Sequence, residues 1–156
     1  MSGGVEASAG VRFPPPLIFA GLLLAGLAAD DWLGLYPAMP LAVRLAGGVI
    51  GVIGLLLGAA ALVQFRRAGN DPEPWKPDAA FVAQGIYRHT RNPMYLGMAL
   101  VHLGLALALD SLGALLLLPV AVLLTDRLVI AREERHLSAR FGSGYEEYRR
   151  RVRRWI

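Results

Sequence analysis

The sequence predicts an all-α fold, a polytopic membrane helical bundle of four spans followed by a C-terminal amphipathic helix. Three observations predict it. The chain has 156 residues, 55% of them hydrophobic and 18% charged, against about 25% charged in soluble domains. A water-soluble domain of this size has too little interior to hide that much apolar side chain. The apolar residues gather in four runs between polar breaks. Of the 16 Lys and Arg, 14 fall in two blocks, five between Arg66 and Arg91 and nine between Arg127 and Arg154. Basic blocks beside apolar spans record the side of the membrane on which loops stay. A net charge of +4 and a pI near 10 would suggest nucleic acid in a soluble protein. Their confinement to span flanks points to a membrane instead, and no nucleic-acid partner is expected. The absence of cysteine excludes a disulfide scaffold, zinc–thiolate sites and iron–sulfur clusters.

The chain reads as one membrane-embedded domain over residues 1–156. Residues 1–12 are small and polar without helical period, and a disordered start is expected. Pro14, Pro15 and Pro16 stop any upstream helix and suit the first turn of a new one. The first apolar run, Leu17 to Ala29, reaches spanning length only when Phe13 to Leu35 is included. Asp30 and Asp31 close it, and Trp32 and Tyr36 suit an interfacial belt. A cleaved signal peptide is the rival reading, with Gly26 and Ala28 before the cut. Its basic start would be Arg12 alone, so a retained helix is preferred.

Leu45 to Val63 is 19 residues without a charge, enough to cross a bilayer. Gly47, Gly51, Gly54 and Gly58 recur at spacings of four, three and four, so they share one helical stripe where another helix can approach closely. The 66–92 segment is polar, and NDPEPWKPD has three prolines in nine residues, which excludes helix there. Met94–Leu109 and Ser111–Thr125 form a tight helical hairpin around Asp110 and Ser111. Its second helix is expected to continue past Asp126 into a charged segment and to stop at Phe141-Gly142, with Gly in the usual terminal position. Ser143 and Glu146 have capping-box spacing. From Gly144 to Arg154, Tyr145, Tyr148, Val152 and Trp155 form an apolar stripe opposite the arginines, as expected of a helix lying on an anionic membrane surface. The 30–40 loop and the 110–111 turn carry no Lys or Arg. Four spans with both termini cytoplasmic satisfy every loop.

Chemistry concentrates at the cytoplasmic edge. His102, deep in the third run, is either a functional group or a neutral side chain bonded to a neighbouring helix. The second reading is preferred, and no metal site is expected. One cluster is Gly85-Ile86-Tyr87-Arg88-His89-Thr90-Arg91-Asn92-Pro93-Met94-Tyr95-Leu96-Gly97, and the other is Arg132-Glu133-Glu134-Arg135-His136-Leu137. The first precedes the third helix and the second follows the fourth, so a hairpin brings Arg91, Asn92, Tyr95, Glu133 and Glu134 together. Pro93 fits the first helical position and Asn92 an N-cap. Gly97 removes a side chain one turn in, opening room for a flat ring or a backbone contact. Taken alone, the arginines read as a positive flank and the glutamates as a solvated helix face.

The pattern G-x-Y-R-x-x-R-N-P-x-Y-x-G, then E-E-x-x-L-x-x-x-F-G-x-x-Y-x-x-Y some forty residues later, resembles the integral-membrane methyltransferases, which comprise the isoprenylcysteine carboxyl methyltransferases and the phospholipid N-methyltransferases. The resemblance covers about Phe65 to Ile156. It implies S-adenosylmethionine as donor, with S-adenosylhomocysteine as product, held by the 85–156 part of the chain, and a lipophilic or lipid acceptor from the bilayer. On the matching positions it implies Tyr87, Arg91, Asn92, Pro93, Tyr95, Gly97, Glu133 and Glu134 as cofactor-binding, with Arg91 and Glu134 as the catalytic candidates; His89, which lies between matching positions, is a further cofactor-binding candidate. The isoprenylcysteine branch usually has His at the position of Asn92, and its eukaryotic members carry more N-terminal spans, so the acceptor is expected only as a lipophilic carboxylate or amine. Arg91 suits the donor carboxylate, and Glu133 or Glu134 its ammonium or ribose. Tyr87 and Tyr95 suit the adenine or the sulfonium. Arg91 or Arg132 would orient a carboxylate acceptor, and Glu134 or His89 would take the proton of an amine. The alternating strands of the soluble methyltransferase fold are excluded. The alternative from another class is a non-enzymatic helical membrane protein that binds lipid or assists assembly.

Overall fold

A computed structural model describes residues 14–70 and 81–156. The expected disordered start at 1–12 and the proline-rich stretch beyond Asn70 lie outside the described residues. Every regular element among the described residues is helical, in the order α1 (Pro15–Leu33), α2 (Leu41–Arg67), a 3-10 turn (Gly85–Arg88), α3 (Pro93–Ala108), α4 (Leu112–Thr125), a π-helical turn (Asp126–Ile130) and α5 (Ala131–Arg151).

Helix α1 starts where the prolines allow it and ends at Gly34, whose φ of 67° is left-handed. It therefore runs past Asp30 rather than stopping there. Asp30 is buried and accepts hydrogen bonds from the Ser111 hydroxyl and from Gly113 N–H at 2.7 Å. One turn earlier Gly26 lies against the backbone of Gly113 and Ala114, where a Cβ would collide. A small residue and a carboxylate thus dock α1 on the start of α4, which makes α1 part of the bundle.

The glycine stripe of α2 behaves as its spacing predicts. A Cβ on Gly54 would sit 2.7 Å from the Gly97 carbonyl oxygen, and one on Gly47 2.8 Å from Ala108 N. Glycines 97 and 104 of α3 complete the contact, so two backbones touch along nearly the whole of α3. Apolar chains in lipid gain little by leaving it, and close packing of small residues drives such contacts. The α3–α4 hairpin turns at Asp110, which has a positive φ of 60°, and Ser111 caps α4 by accepting from Ala114 N–H at 3.0 Å. Between these helices His102 is buried with Nε2 3.0 Å from the Ala114 carbonyl oxygen, as the helix-bonded reading expected.

The ends of the bundle differ. Met39 N–H reaches Asp110 Oδ1 at 2.8 Å and Arg44 Nε the Ala108 carbonyl at 3.2 Å, so the 34–40 loop and the 109–111 turn share one end. The 3-10 turn and α5 lie at the other. Leu45, Val49, Val52, Ile53 and Leu56 of α2 are exposed, an apolar face that lipid can cover and water would penalise. Three helices are long and apolar enough to cross a membrane, namely Pro15–Leu33, Leu41–Arg67 and the continuous Leu112–Arg151, while Pro93–Ala108 is a shorter apolar helix.

The chain does continue past Asp126, through the π turn. Gly142, at φ 55° and ψ −131°, breaks the helix axis as expected, after which the helix resumes to Arg151 and Val152 is extended. The surface role expected of the 144–155 stripe is corrected. Tyr145 and Tyr148 are buried against Phe81, with ring centroids 5.8 Å away in both cases, and the Tyr148 hydroxyl donates to the Tyr87 carbonyl at 2.7 Å. The stripe packs inward because two tyrosine rings and a hydroxyl find protein partners there, leaving Arg149, Arg150 and Arg151 exposed. Glu146 accepts from Ser138 at 2.6 Å, in place of the capping box expected with Ser143.

Candidate active site

Helix α2 sets the entry to the site. Gln64 accepts from Ile86 N–H at 3.2 Å and donates to the Gln84 carbonyl at 2.6 Å. Gly85, at φ 56°, leaves no room for a Cβ beside that amide. Tyr87 is buried, stacks on Phe65 with centroids 6.5 Å apart and donates to the Ala61 carbonyl at 3.4 Å. In this structure its ring pins the turn to α2. His89 is exposed and accepts from Arg88 Nε at 3.0 Å.

The next residues carry the C-terminal strap. Arg91 N–H donates to the Arg153 carbonyl at 3.0 Å, and the Arg154 carbonyl accepts from Thr90 Oγ1 at 3.2 Å and Asn92 Nδ2 at 2.9 Å. Asn92 precedes α3 in the N-cap position, but its side chain makes no cap bond; the amide is spent on Arg154. Pro93 follows at the first helical position, buried. Gly97, one turn on, is used for the backbone contact with α2.

Four ionised side chains meet beneath that strap. Glu134, 6% exposed, takes Arg91 Nη2 at 3.1 Å on Oε1. It also takes a bidentate fork from Arg154, with Nε at 3.1 Å and Nη2 at 2.6 Å. Arg154 Nη1 reaches both oxygens of Asp126 at 3.0 and 3.1 Å, and Trp155 Nε1 donates to Asp126 at 3.1 Å. The π turn carries Asp126, and insertions of this kind re-aim side chains at functional sites. Two guanidiniums face two carboxylates, so the cluster is neutral in sum. Yet Arg91 Nε and Nη1 are buried without a hydrogen-bond partner. A buried donor on a charged group costs about 1–3 kcal/mol or more when left unmade. The carboxylate of Glu134 raises the Arg154 pKa. Burial pushes the Tyr145 hydroxyl up to about 12, aided by Glu134 and opposed by the Arg91 guanidinium beside it.

Beside the charges lies an apolar cavity of about 580 Å³, open between α1 and α2 with α3 beneath, lined by Pro15, Phe19, Gly58, Tyr95, Met98 and Val101 among others. Tyr95 belongs to both regions, because its hydroxyl donates to Glu133 Oε1 at 2.6 Å.

A sequence profile described as phospholipid methyltransferase matches residues 43–144. The chain belongs to the phospholipid methyltransferase family. A Protein-S-isoprenylcysteine O-methyltransferase of Schizosaccharomyces pombe is 30% identical over 102 residues, 64% of this chain and 43% of that protein. An uncharacterized protein of Haemophilus influenzae is 38% identical over 63 residues, 40% of this chain and the whole of that protein. No solved structure matches. These relations and the apolar helices make the chain an integral membrane protein of a methyltransferase family. The 43–144 match includes all nine residues singled out above and Asp126, but stops short of Arg154 and Trp155.

Of the residues singled out from sequence, the structure gathers Arg91, Asn92, Tyr95, Glu133 and Glu134 at one end, as the hairpin argument expects. Pro93 and Gly97 are beside them in α3, with Gly97 also on the cavity wall. Tyr87 and His89 stand apart, the first in packing and the second in solvent. Sequence reasoning missed Arg154, Asp126 and Thr90. Asp126 was the one visible signal, an acid closing an apolar run; Arg154 was indistinguishable from four arginines around it.

Proposed function

We propose that this chain transfers the methyl group of S-adenosylmethionine to a lipophilic carboxylate or amine, leaving S-adenosylhomocysteine, at the cytoplasmic face of a four-span membrane domain with both termini inside. The observation that carries the reading is the junction at Tyr95, which lines an apolar cavity and bonds to Glu133 next to a buried charged cluster in which Arg91 Nε and Nη1 make no hydrogen bond. The donor supplies an electrophilic methyl group on a sulfonium. What the protein must add is positioning and exclusion of water.

Arg91 offers Nε and Nη1 to a carboxylate. Glu134 is already held by two guanidiniums, so its part is to fix Arg91. Glu133, which accepts from the cavity-lining Tyr95, is the carboxylate assigned to an ammonium or ribose hydroxyls and to the proton of an amine acceptor. His89 is too far into solvent for that task. A carboxylate acceptor needs no base. The cavity walls are apolar and open between α1 and α2, which suits an acyl or prenyl chain arriving from the bilayer. The fourth span is α3, whose 16 residues rise about 24 Å while tracking the spanning helix α2.

Two measurements test the reading. Purified protein in detergent should bind S-adenosylhomocysteine in calorimetry and should move labelled methyl from donor to an extractable lipid. Absence of binding at millimolar ligand would favour the non-enzymatic alternative. Cysteines at Tyr36 and Arg66 should label from opposite sides of sealed vesicles, and labelling from one side would refute the topology.

A further inference from the structure

The geometry points to Arg154 as a positioning residue that keeps the anion seat of Arg91 open by occupying Glu134. This rests on the reading that Arg91 receives the donor's carboxylate.

A guanidinium next to a carboxylate closes, when free to do so, into a bidentate pair with two parallel N–H···O bonds. Arg91 does not. It gives Glu134 one contact, Nη2 to Oε1 at 3.1 Å, and leaves Nε and Nη1 buried and unpartnered. The reason is on the other side of the carboxylate. Arg154 lays its Nε–Nη2 edge across both Glu134 oxygens at 3.1 and 2.6 Å, so the paired face that Arg91 would need is taken. Arg154 is itself fixed on three sides. Its Nη1 is clamped by Asp126 at 3.0 and 3.1 Å, and its carbonyl is held by Thr90 and Asn92. Residue 154 therefore cannot yield Glu134 without unseating the strap. Asp126 balances the second positive charge, so two guanidiniums share a small volume without net repulsion. Arg91 is thereby held near Glu134 and beside the Tyr145 hydroxyl, charged and aligned, with Nε and Nη1 making no hydrogen bond to the protein.

Loss of Arg154 frees Glu134 to capture Arg91 as a closed pair and removes the seat. The defect should be confined to ligands that carry a carboxylate. S-adenosylhomocysteine and 5′-methylthioadenosine share the nucleoside and the sulfur, and only the first has the amino-acid portion. Binding of both is measured by calorimetry on wild type, Arg154→Ala, Arg154→Ala/Glu134→Gln and Arg91→Ala. Arg154→Ala should weaken S-adenosylhomocysteine about 10-fold, the equivalent of one charge-assisted bond, and leave 5′-methylthioadenosine within about twofold. Glu134→Gln in that background removes the capturing charge and should recover most of the loss. Should Arg154→Ala fail to fold, Arg154→Lys replaces it. A single ammonium cannot span both oxygens, so an intermediate and still carboxylate-selective loss is expected. Equal weakening of both ligands, or no recovery with Glu134→Gln, overturns the inference and leaves Arg154 a mere fastener of the strap. Unchanged S-adenosylhomocysteine binding in Arg91→Ala overturns the underlying assignment of Arg91 instead.

Discussion

Each end of the bundle buries a carboxylate, and the two are treated in opposite ways. At the turn end, Asp30 is met by neutral donors of the chain, the Ser111 hydroxyl and Gly113 N–H. Both carboxylate oxygens are used, and the result is a staple between α1 and α4. At the other end, Glu134 is met by two guanidiniums, and one of them is left with unmade bonds. His102 also leaves Nδ1 without a partner, but its ring is packed edge-on against Phe19 and tied through Nε2 to the Ala114 carbonyl. Burial of charge alone therefore does not mark the site. What sets the second end apart is a buried guanidinium with unmade hydrogen bonds, on which the proposed donor site rests.

The largest expected effect breaks the staple. Asp30→Ala strands the Ser111 hydroxyl and Gly113 N–H, each at about 1–3 kcal/mol. Thermal unfolding in detergent should show the loss, with S-adenosylhomocysteine affinity unchanged in the folded fraction; a loss of affinity at constant stability would move Asp30 into the site. Next, Arg91→Ala should weaken S-adenosylhomocysteine about 10- to 100-fold, since a hydrogen bond to a charged group contributes about 1.5–3 kcal/mol and 1.4 kcal/mol is a decade. Calorimetry at wild-type affinity would erase the contrast between the two ends. Tyr95→Phe keeps the cavity wall and removes the bond to Glu133. Turnover should fall by about fivefold to tenfold, for about 1 kcal/mol of lost hydrogen bond, while donor affinity holds; a fall in affinity alone would place Tyr95 on the donor rather than at the acceptor's head. The smallest effect is at Arg135, which is exposed. Arg135→Ala should change donor affinity less than about fivefold, because exposed ion pairs contribute about 0–1 kcal/mol. A larger effect would show that net positive charge, not the seat at Arg91, draws the ligand.

Much of this was legible in the chain. The glycine stripe of α2, the hairpin at Asp110-Ser111, the break at Gly142 and the meeting of Arg91 and Tyr95 with Glu133 and Glu134 all follow from spacing. Helical periodicity fixes which residues share a face, and a two-helix turn fixes which ends are neighbours. In sequence Asp30 closes an apolar run, and only the approach of Ser111 and Gly113 shows how its burial is met. The spacing of Tyr145 and Tyr148 predicts a membrane-facing stripe, and the structure buries both in protein. An amphipathic pattern shows that one face leaves water, but not whether lipid or protein receives it.

The sequence by itself determined the helices, their close glycine contact and the end of the bundle where charge collects, because those depend on local period and on residues near in the chain. Tertiary structure alone decided that the strap folds back, that Arg154 takes Glu134 from Arg91, and that Tyr95 joins cavity to cluster. Those are pairings across 20 to 64 residues, and a permanent charge among several similar arginines carries no mark of its partner until the fold brings one carboxylate within 3 Å of it.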